Sequence, residues 1–213
     1  MKLSGKLLLP LVLLLLCGCS REISPVSALA LDKTGEEYRL TAEIVRQDSL
    51  DDPASPAYLS AAGRDLPELI QTLGNLLPGE MYLSHSQVLL LDESAAEESI
   101  LPLADYLCTE NDVRLNLRVA VVRGGAASEL LRNDDEVYAL SEMLDRAAQK
   151  GTLPDMPLYR AAELLHASGT AILPALHLDE YGQTAPAGTA VFANSRLSCF
   201  LDGSEIGGGS SDA

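Results

Sequence analysis

Two stretches of this sequence hold residue types that do chemistry at a recognisable spacing. The first is Leu16-Cys17-Gly18-Cys19. It ends an almost pure leucine run from Leu7 to Leu16, preceded by Lys2 and Lys6 and followed by the polar Ser20-Arg21-Glu22. A charged start, a short apolar core and a small residue before a cut are the parts of a secretory signal. Leucine, any residue, glycine, cysteine is also the pattern of a bacterial lipobox. In that reaction the Cys19 thiol takes a diacylglyceryl group, and cleavage leaves this cysteine as the first residue. The second stretch is Ser84-His85-Ser86, with Asp92 nearby. Serine, histidine and an acid are the ingredients of acyl transfer.

The elements that would position these groups favour the first chemistry and disfavour the second. The apolar run Leu7 to Leu16 spans ten residues, whereas a helix that crosses a bilayer needs about 20. Residues 1–18 are therefore expected to be removed, and Cys19 to carry the lipid. His85 falls in a run, Met81 to Leu91, that reads as a strand, with Val88 to Leu91 apolar on both faces and so central in a sheet. Neighbours along a strand point to opposite faces, so His85 and its serines do not meet. No Gly-x-Ser-x-Gly elbow exposes a nucleophile either. His85 is expected to bond a backbone group or water at the rim of a sheet, and no catalytic residue is assigned.

No metal or cofactor site is expected. His85, His166 and His177 are scattered, without the close spacing of a zinc motif. Asp51-Asp52, Glu97-Glu98 and Asp134-Asp135-Glu136 read as solvated loops or helix N-termini, where negative charge suits the dipole. Calcium-loop spacing is absent, and Gly124-Gly125 lacks the rest of a phosphate-binding fingerprint. Arg114 and Arg118 share a strand face, and pairing with the many carboxylates is the expected use of both. Cys108 and Cys199 read as two separate, partly buried thiols, since two cysteines do not make a disulfide framework.

Cleavage before Cys19 leaves 195 of the 213 residues, with 13 basic against 31 acidic and a net charge of −18. That length suits one domain with a proper core. The acidity excludes nucleic-acid binding, which needs a basic footprint, and adhesion to anionic lipid by charge.

In chain order, Val26–Leu31 and Tyr38–Val45 read as a hairpin around Gly35. Gln47 to Ala62 reads as a loop, with Pro53 and Pro56 blocking regular structure. Asp65 is expected to cap a helix to about Leu77, with Pro67 tolerated in its first turn. Asp92 and Ser94 open a helical turn, and Ser99 to Leu107 forms a further helix. Val113 to Val119 alternates strictly, and Ala120 to Val122 extends it as a strand. Helices follow over Ala126–Arg132, Glu136–Lys150 and Pro157–Ala167. Ala171 to Leu178 looks extended, with Pro174 pointing to an edge strand. Gly188–Phe192 and Arg196–Leu201 form a last hairpin. Strands and helices intermix, which predicts an α+β (mixed α/β) domain, a mixed sheet packed with several helices.

The ordered motifs resemble the N-terminal domain of the Ger(x)C spore germination lipoproteins, the C subunits of germinant receptors. The resemblance rests on Arg21-Glu22-Ile23 after the lipid cysteine, Tyr38-Arg39-Leu40-Thr41 to Val45, and Met81-Tyr82-Leu83-Ser84-His85 with its apolar run. It continues in Asp105-Tyr106-Leu107 with Val113-Arg114-Leu115-Asn116, and in Gly188-Thr189-Ala190-Val191-Phe192 to Leu201. It implies a signal peptide over 1–18, a family domain over 19–204 and a Gly/Ser tail over 205–213. It also implies a non-enzymatic subunit, lipid-anchored on the extracytoplasmic face of a membrane (in spores, the inner one), beside two membrane-protein partners. Cys19 carries over as the lipid site; His85, Arg114 and Asn116 match motif positions and read as structural. Family members continue beyond the final hairpin into further domains. The alternative is a free-standing solute-binding lipoprotein outside the membrane.

If Val113 to Val122 is one strand, Val113, Leu115, Leu117, Val119 and Val121 form one wall of the core, against the helices beginning near Asp65 and Glu136. Leu117→Ala should then cost about 2–5 kcal/mol by leaving a cavity, while Arg118→Ala leaves the domain folded. Thermal melts of the two variants test the assignment of faces.

Overall fold

Four consecutive residues, Val88 to Leu91, have no exposed face, and the architecture follows from covering them. The computed structural model describes residues 23–47, 53–109, 113–133 and 136–202. The predicted signal segment, Cys19 and the Gly/Ser tail lie outside these residues. Among the described residues there are nine strands and six α-helices, in one mixed sheet. This is the α+β class that the intermixed pattern predicts.

The strands are β1 (Ile23–Thr34), β2 (Glu37–Arg46), β3 (Ser55–Gly63), β4 (Glu80–Tyr82), β5 (Val88–Asp92), β6 (Arg118–Val122), β7 (Ala171–Leu178), β8 (Thr184–Ala193) and β9 (Arg196–Leu201). The helices are α1 (Leu66–Leu76), α2 (Glu93–Ala96), α3 (Leu101–Thr109), α4 (Ala127–Leu131), α5 (Ala139–Gln149) and α6 (Leu158–Ser168). The sheet runs β3-β2-β1-β5-β6-β7-β8-β9. β1, β5, β6 and β7 are mutually parallel, and antiparallel hairpins flank them. Parallel strands need crossover connections, and the helices supply them.

Alternation along the parallel strands divides the core in two. Leu29, Leu31, Leu89, Leu91, Val119, Val121 and Leu173 face α1, α3 and α6. Ala28, Ala30, Val88, Leu90, Ala120, Val122 and Leu176 face α4 and α5. α5 therefore packs on the face opposite to that of Leu117, not beside α1 as the sequence suggested.

Other expectations are corrected here. Met81 to Leu91 is not one strand. β4 and β5 both run along β1, at Ile23–Pro25 and Ala28–Leu31, and a 3-10 turn, Leu83–His85, separates them. The break falls beside an irregularity in β1 between Val26 and Ala28. Residues 55–62, expected as loop, fall in β3; Pro56 is tolerated because β3 is an edge strand and needs no donor on its open side. Pro174 marks the reverse case. β7 is central, but Pro174 sits at a register shift and pairing with β6 starts only at Ala175, so its missing N–H breaks no ladder bond there.

The strand expected from Val113 begins only at Arg118. Carbonyls of Leu115 and Leu117 instead accept from the N–H groups of Tyr159 (3.1 Å) and Leu158 (2.7 Å), the orphan donors of the first turn of α6. The chain turns there, and Leu115 is 48% exposed while Leu117 is fully buried. Asp65 precedes α1, but its side chain makes no cap bond. Cys199 is exposed, not partly buried; Cys108 is half-buried, and both are free thiols.

The last hairpin turns through Asn194 and Ser195, both at positive φ, as a tight two-residue turn with right-handed twist requires. At its other end Gly188 has φ +89, and a Cβ there would lie 2.1 Å from the Leu201 carbonyl oxygen. Only glycine fits.

Two outcomes follow for purified variants. Leu115→Ala should change stability by no more than about 0.5 kcal/mol, against about 2–5 kcal/mol for Leu117→Ala. Gly188→Ala should cost at least about 2 kcal/mol, from strain plus a backbone clash. Urea midpoints measure all three, and equal midpoints for the two leucine variants would contradict the turn at Leu115.

Candidate functional site

In a parallel sheet, ligands usually bind beyond the carboxyl ends of the strands. Those ends here gather Asp32 from β1, Asp92 from β5 and Glu93 beside it. Each carboxylate already has a partner in the chain. Asp32, almost fully buried, accepts from the backbone N–H of Ala127 at 2.5 Å and of Ser128 at 3.2 Å, holding the first turn of α4. Asp92 accepts from Ala95 N–H at 2.7 Å, which caps α2, and from Lys33 N–H at 3.2 Å. Glu93 Oε1 accepts from Gly124 N–H at 2.5 Å. These bonds replace water on buried acids and on the unsatisfied donors of helix N-termini. Burial pushes the Asp92 carboxyl above the ordinary range; the Ala95 and Lys33 N–H groups pull it back, and the charges of Asp32 and Glu93 push it up. Among the described residues no group of three or more histidine, cysteine or acidic side chains is placed to hold a metal ion.

The serine–histidine stretch is not assembled as a relay. Ser86 is fully buried, and its hydroxyl donates to the Val26 carbonyl at 3.0 Å. His85 closes the 3-10 turn and lies 5.4 Å from the Tyr82 ring. Asp92 is occupied with α2. His166 Nε2 meets Asp105 Oδ1 at 2.6 Å, linking α6 to α3. Arg118 behaves as expected, pairing with Asp145 of α5 and, at 3.1 Å, with Asp155. Arg114 and Asn116 lie exposed on the turn that precedes β6.

An apolar groove of about 390 Å³ lies between α1, α3 and the β1–β2 hairpin, in the size range of small-molecule sites. Leu31, Leu66, Ile100 and Leu103 line it, with Tyr38 and Tyr106 adding amphipathic rings. An ion cluster joins its surroundings: Glu98 pairs with Lys33 at 3.1 Å and with Arg196 of β9 at 3.0 Å, and Lys33 stands 5.8 Å over the Tyr38 ring. The hydrogen bond from Lys33, then that from Arg196, hold the Glu98 carboxyl below its usual range. Burial, foremost, raises the Tyr38 hydroxyl pKa. Such a groove can take an apolar group. The sequence reading missed it because its walls are far apart in the chain. Asp32 was missed too, although a single acid closing a long apolar run was a visible signal.

Fold and site together define a class: an α+β domain in which buried Asp32 and half-buried Asp92 hold helix ends, with an apolar groove on one face and no assembled serine–histidine–acid relay among the described residues. The chain belongs to the spore germination protein N-terminal domain family, whose profile matches residues 21–178; this is the Ger(x)C family that its motifs resemble. The crystal structure of the GerBC protein is similar at 16% identity and a TM-score of 0.45, with the match covering 83% of this chain and 52% of that one. The chain thus spans about half the length of that protein. No curated protein sequence matches the chain.

The raised Asp92 pKa has a consequence for stability. Because the folded state holds this proton more tightly than the unfolded one, the stability it contributes is full below the unfolded value. It is lost as pH rises through the folded value. Asp92→Asn keeps an acceptor for Ala95 and does not titrate. In melts from about pH 3.5 to 7.5, a range that brackets the ordinary aspartate value, the variant's Tm minus the wild-type Tm should grow more positive with pH and then level off. A flat difference would show that burial does not govern this carboxyl.

Proposed function

We propose that this chain is a lipid-anchored, non-enzymatic subunit of a spore germinant receptor, held through Cys19 on the extracytoplasmic face of a membrane beside polytopic subunits. The observation that carries this reading is the family match, which starts at Arg21, two residues after the lipobox cysteine. No helix among the described residues is long and apolar enough to cross a membrane. A body of net charge −18 after cleavage gains nothing from anionic lipid. Two acyl chains, at about 0.8 kcal/mol per buried methylene, give stable attachment where one does not. The capped carboxylates and the unassembled Ser84-His85-Ser86 stretch support a role in assembly or binding rather than turnover.

The groove of about 390 Å³ favours one second reading, a free-standing lipoprotein that captures a small apolar solute. Co-purification separates the two: a receptor subunit brings polytopic membrane proteins with it after mild detergent extraction, and a free-standing binder does not.

Cys19→Ala should abolish both clickable fatty-acid labelling and sedimentation with membranes. A variant that is still labelled, or still pellets, sinks the anchor.

A further inference from the structure

The geometry points to one end of the domain as a surface that lies in the lipid interface, an inference that rests on the lipid-anchor reading and gives it an orientation. At the amino end of β1, Ile23 is 55% exposed. Across a cavity of about 550 Å³ from it, at the last turn of α1, Leu76 is also 55% exposed. Leu77, Pro78 and Val45 line the same cavity, and Arg46 at its rim is exposed. On the inner face of α1, by contrast, Leu69 is 1% exposed and Leu73 is fully covered. Exposed large aliphatic side chains thus gather where β1 begins.

The occupant follows from the chain that precedes β1. Four peptide units separate Ile23 from Cys19, and a chain of that length spans at most about 14 Å. A glyceride on the Cys19 sulfur sits at the boundary of headgroups and acyl chains. The tether thus lets Ile23, and with it Leu76, reach the headgroup layer, which adds about 5–7 Å on each side of a hydrocarbon core of about 30 Å. Aliphatic side chains at that depth leave water, and Arg46 meets lipid phosphates. Acidic side chains stand at both ends of the sheet, with exposed Glu80 paired opposite Ile23. The β1–β2 turn holds Glu36, with Glu37 opening β2, and the β7–β8 turn holds Asp179 and Glu180. Charge therefore does not set the orientation; the short tether and the exposed aliphatic side chains do. β1 ends at Thr34, about 36 Å from Ile23 at roughly 3.3 Å per residue, and Glu36 lies just beyond it.

The test uses the full lipidated chain, extracted from membranes and reconstituted in phosphatidylglycerol vesicles with brominated acyl chains. An environment-sensitive dye is placed at Asn75→Cys, beside Leu76, or at Glu36→Cys, both in a Cys108→Ala, Cys199→Ser background. Dye at position 75 should be quenched about twofold, as expected a few ångströms into the boundary layer, and dye at position 36 should be unaffected. Adding Ile23→Ser and Leu76→Ser should bring position 75 towards the level of position 36 while the protein still pellets with the vesicles. Equal quenching at 75 and 36 in protein whose intact mass carries the diacylglyceryl group overturns the orientation and leaves the anchor standing. An intact mass without that group overturns the anchor, and this inference with it.

Discussion

Burial of β5 on both faces is the constraint on which the other elements depend. Val88, Leu89, Leu90 and Leu91 are each 1% exposed or less. A strand with no wet face needs paired neighbours on both edges and helices above and below it. β1 and β6 supply the edges; α1, α3 and α6 cover one face, and α4 and α5 the other. The connections that cover the sheet are also the crossovers that parallel pairing requires, so one hydrophobic tetrapeptide sets both the layering and the strand direction.

Short helices in such an arrangement leave bare N–H groups close to the sheet, and one device recurs to satisfy them. Asp32 takes those of α4, Asp92 takes one of α2, and the backbone carbonyls of Leu115 and Leu117 take those of α6. Part of the acidic composition is thus structural. Asp32 and Asp92 close adjacent parallel strands, where a ligand-binding member of this architecture would leave room for its ligand. Here the protein's own helices occupy that room, and the apolar groove lies elsewhere, between α1, α3 and the β1–β2 hairpin.

The sequence made the helices α1, α5 and α6 plain, because helical signals are local. The first and last hairpins were plain for the same reason. What it concealed was non-local. Pro56 reads as a loop signal and Pro174 as an edge signal until the neighbours of each strand are known. The alternation from Val113 to Val119 holds as a pattern, yet the N-terminus of α6, about 40 residues later in the chain, captures its carbonyls and turns it. Among candidate site residues, Arg118 was legible as one half of an ion pair. The separation of His85 from a working relay was also legible, though the cause is a 3-10 turn rather than strand alternation. Cys19 rests on the motif alone.

The pairing of β1 with β5 carries a cost in time. β1 meets β2 across a two-residue turn, so that hairpin closes locally as soon as both strands exist. The other edge of β1 pairs Ala28 with Val88, 60 residues further on. At about 5–20 residues per second, a chain emerging from its amino end leaves that edge uncovered for about 3–12 s. During this interval the longest run of buried residues in β1, Val26 to Asp32, is a half-paired, aggregation-prone ribbon. The parallel sheet therefore forms late, and the first strand to appear waits 60 residues for its neighbour β5.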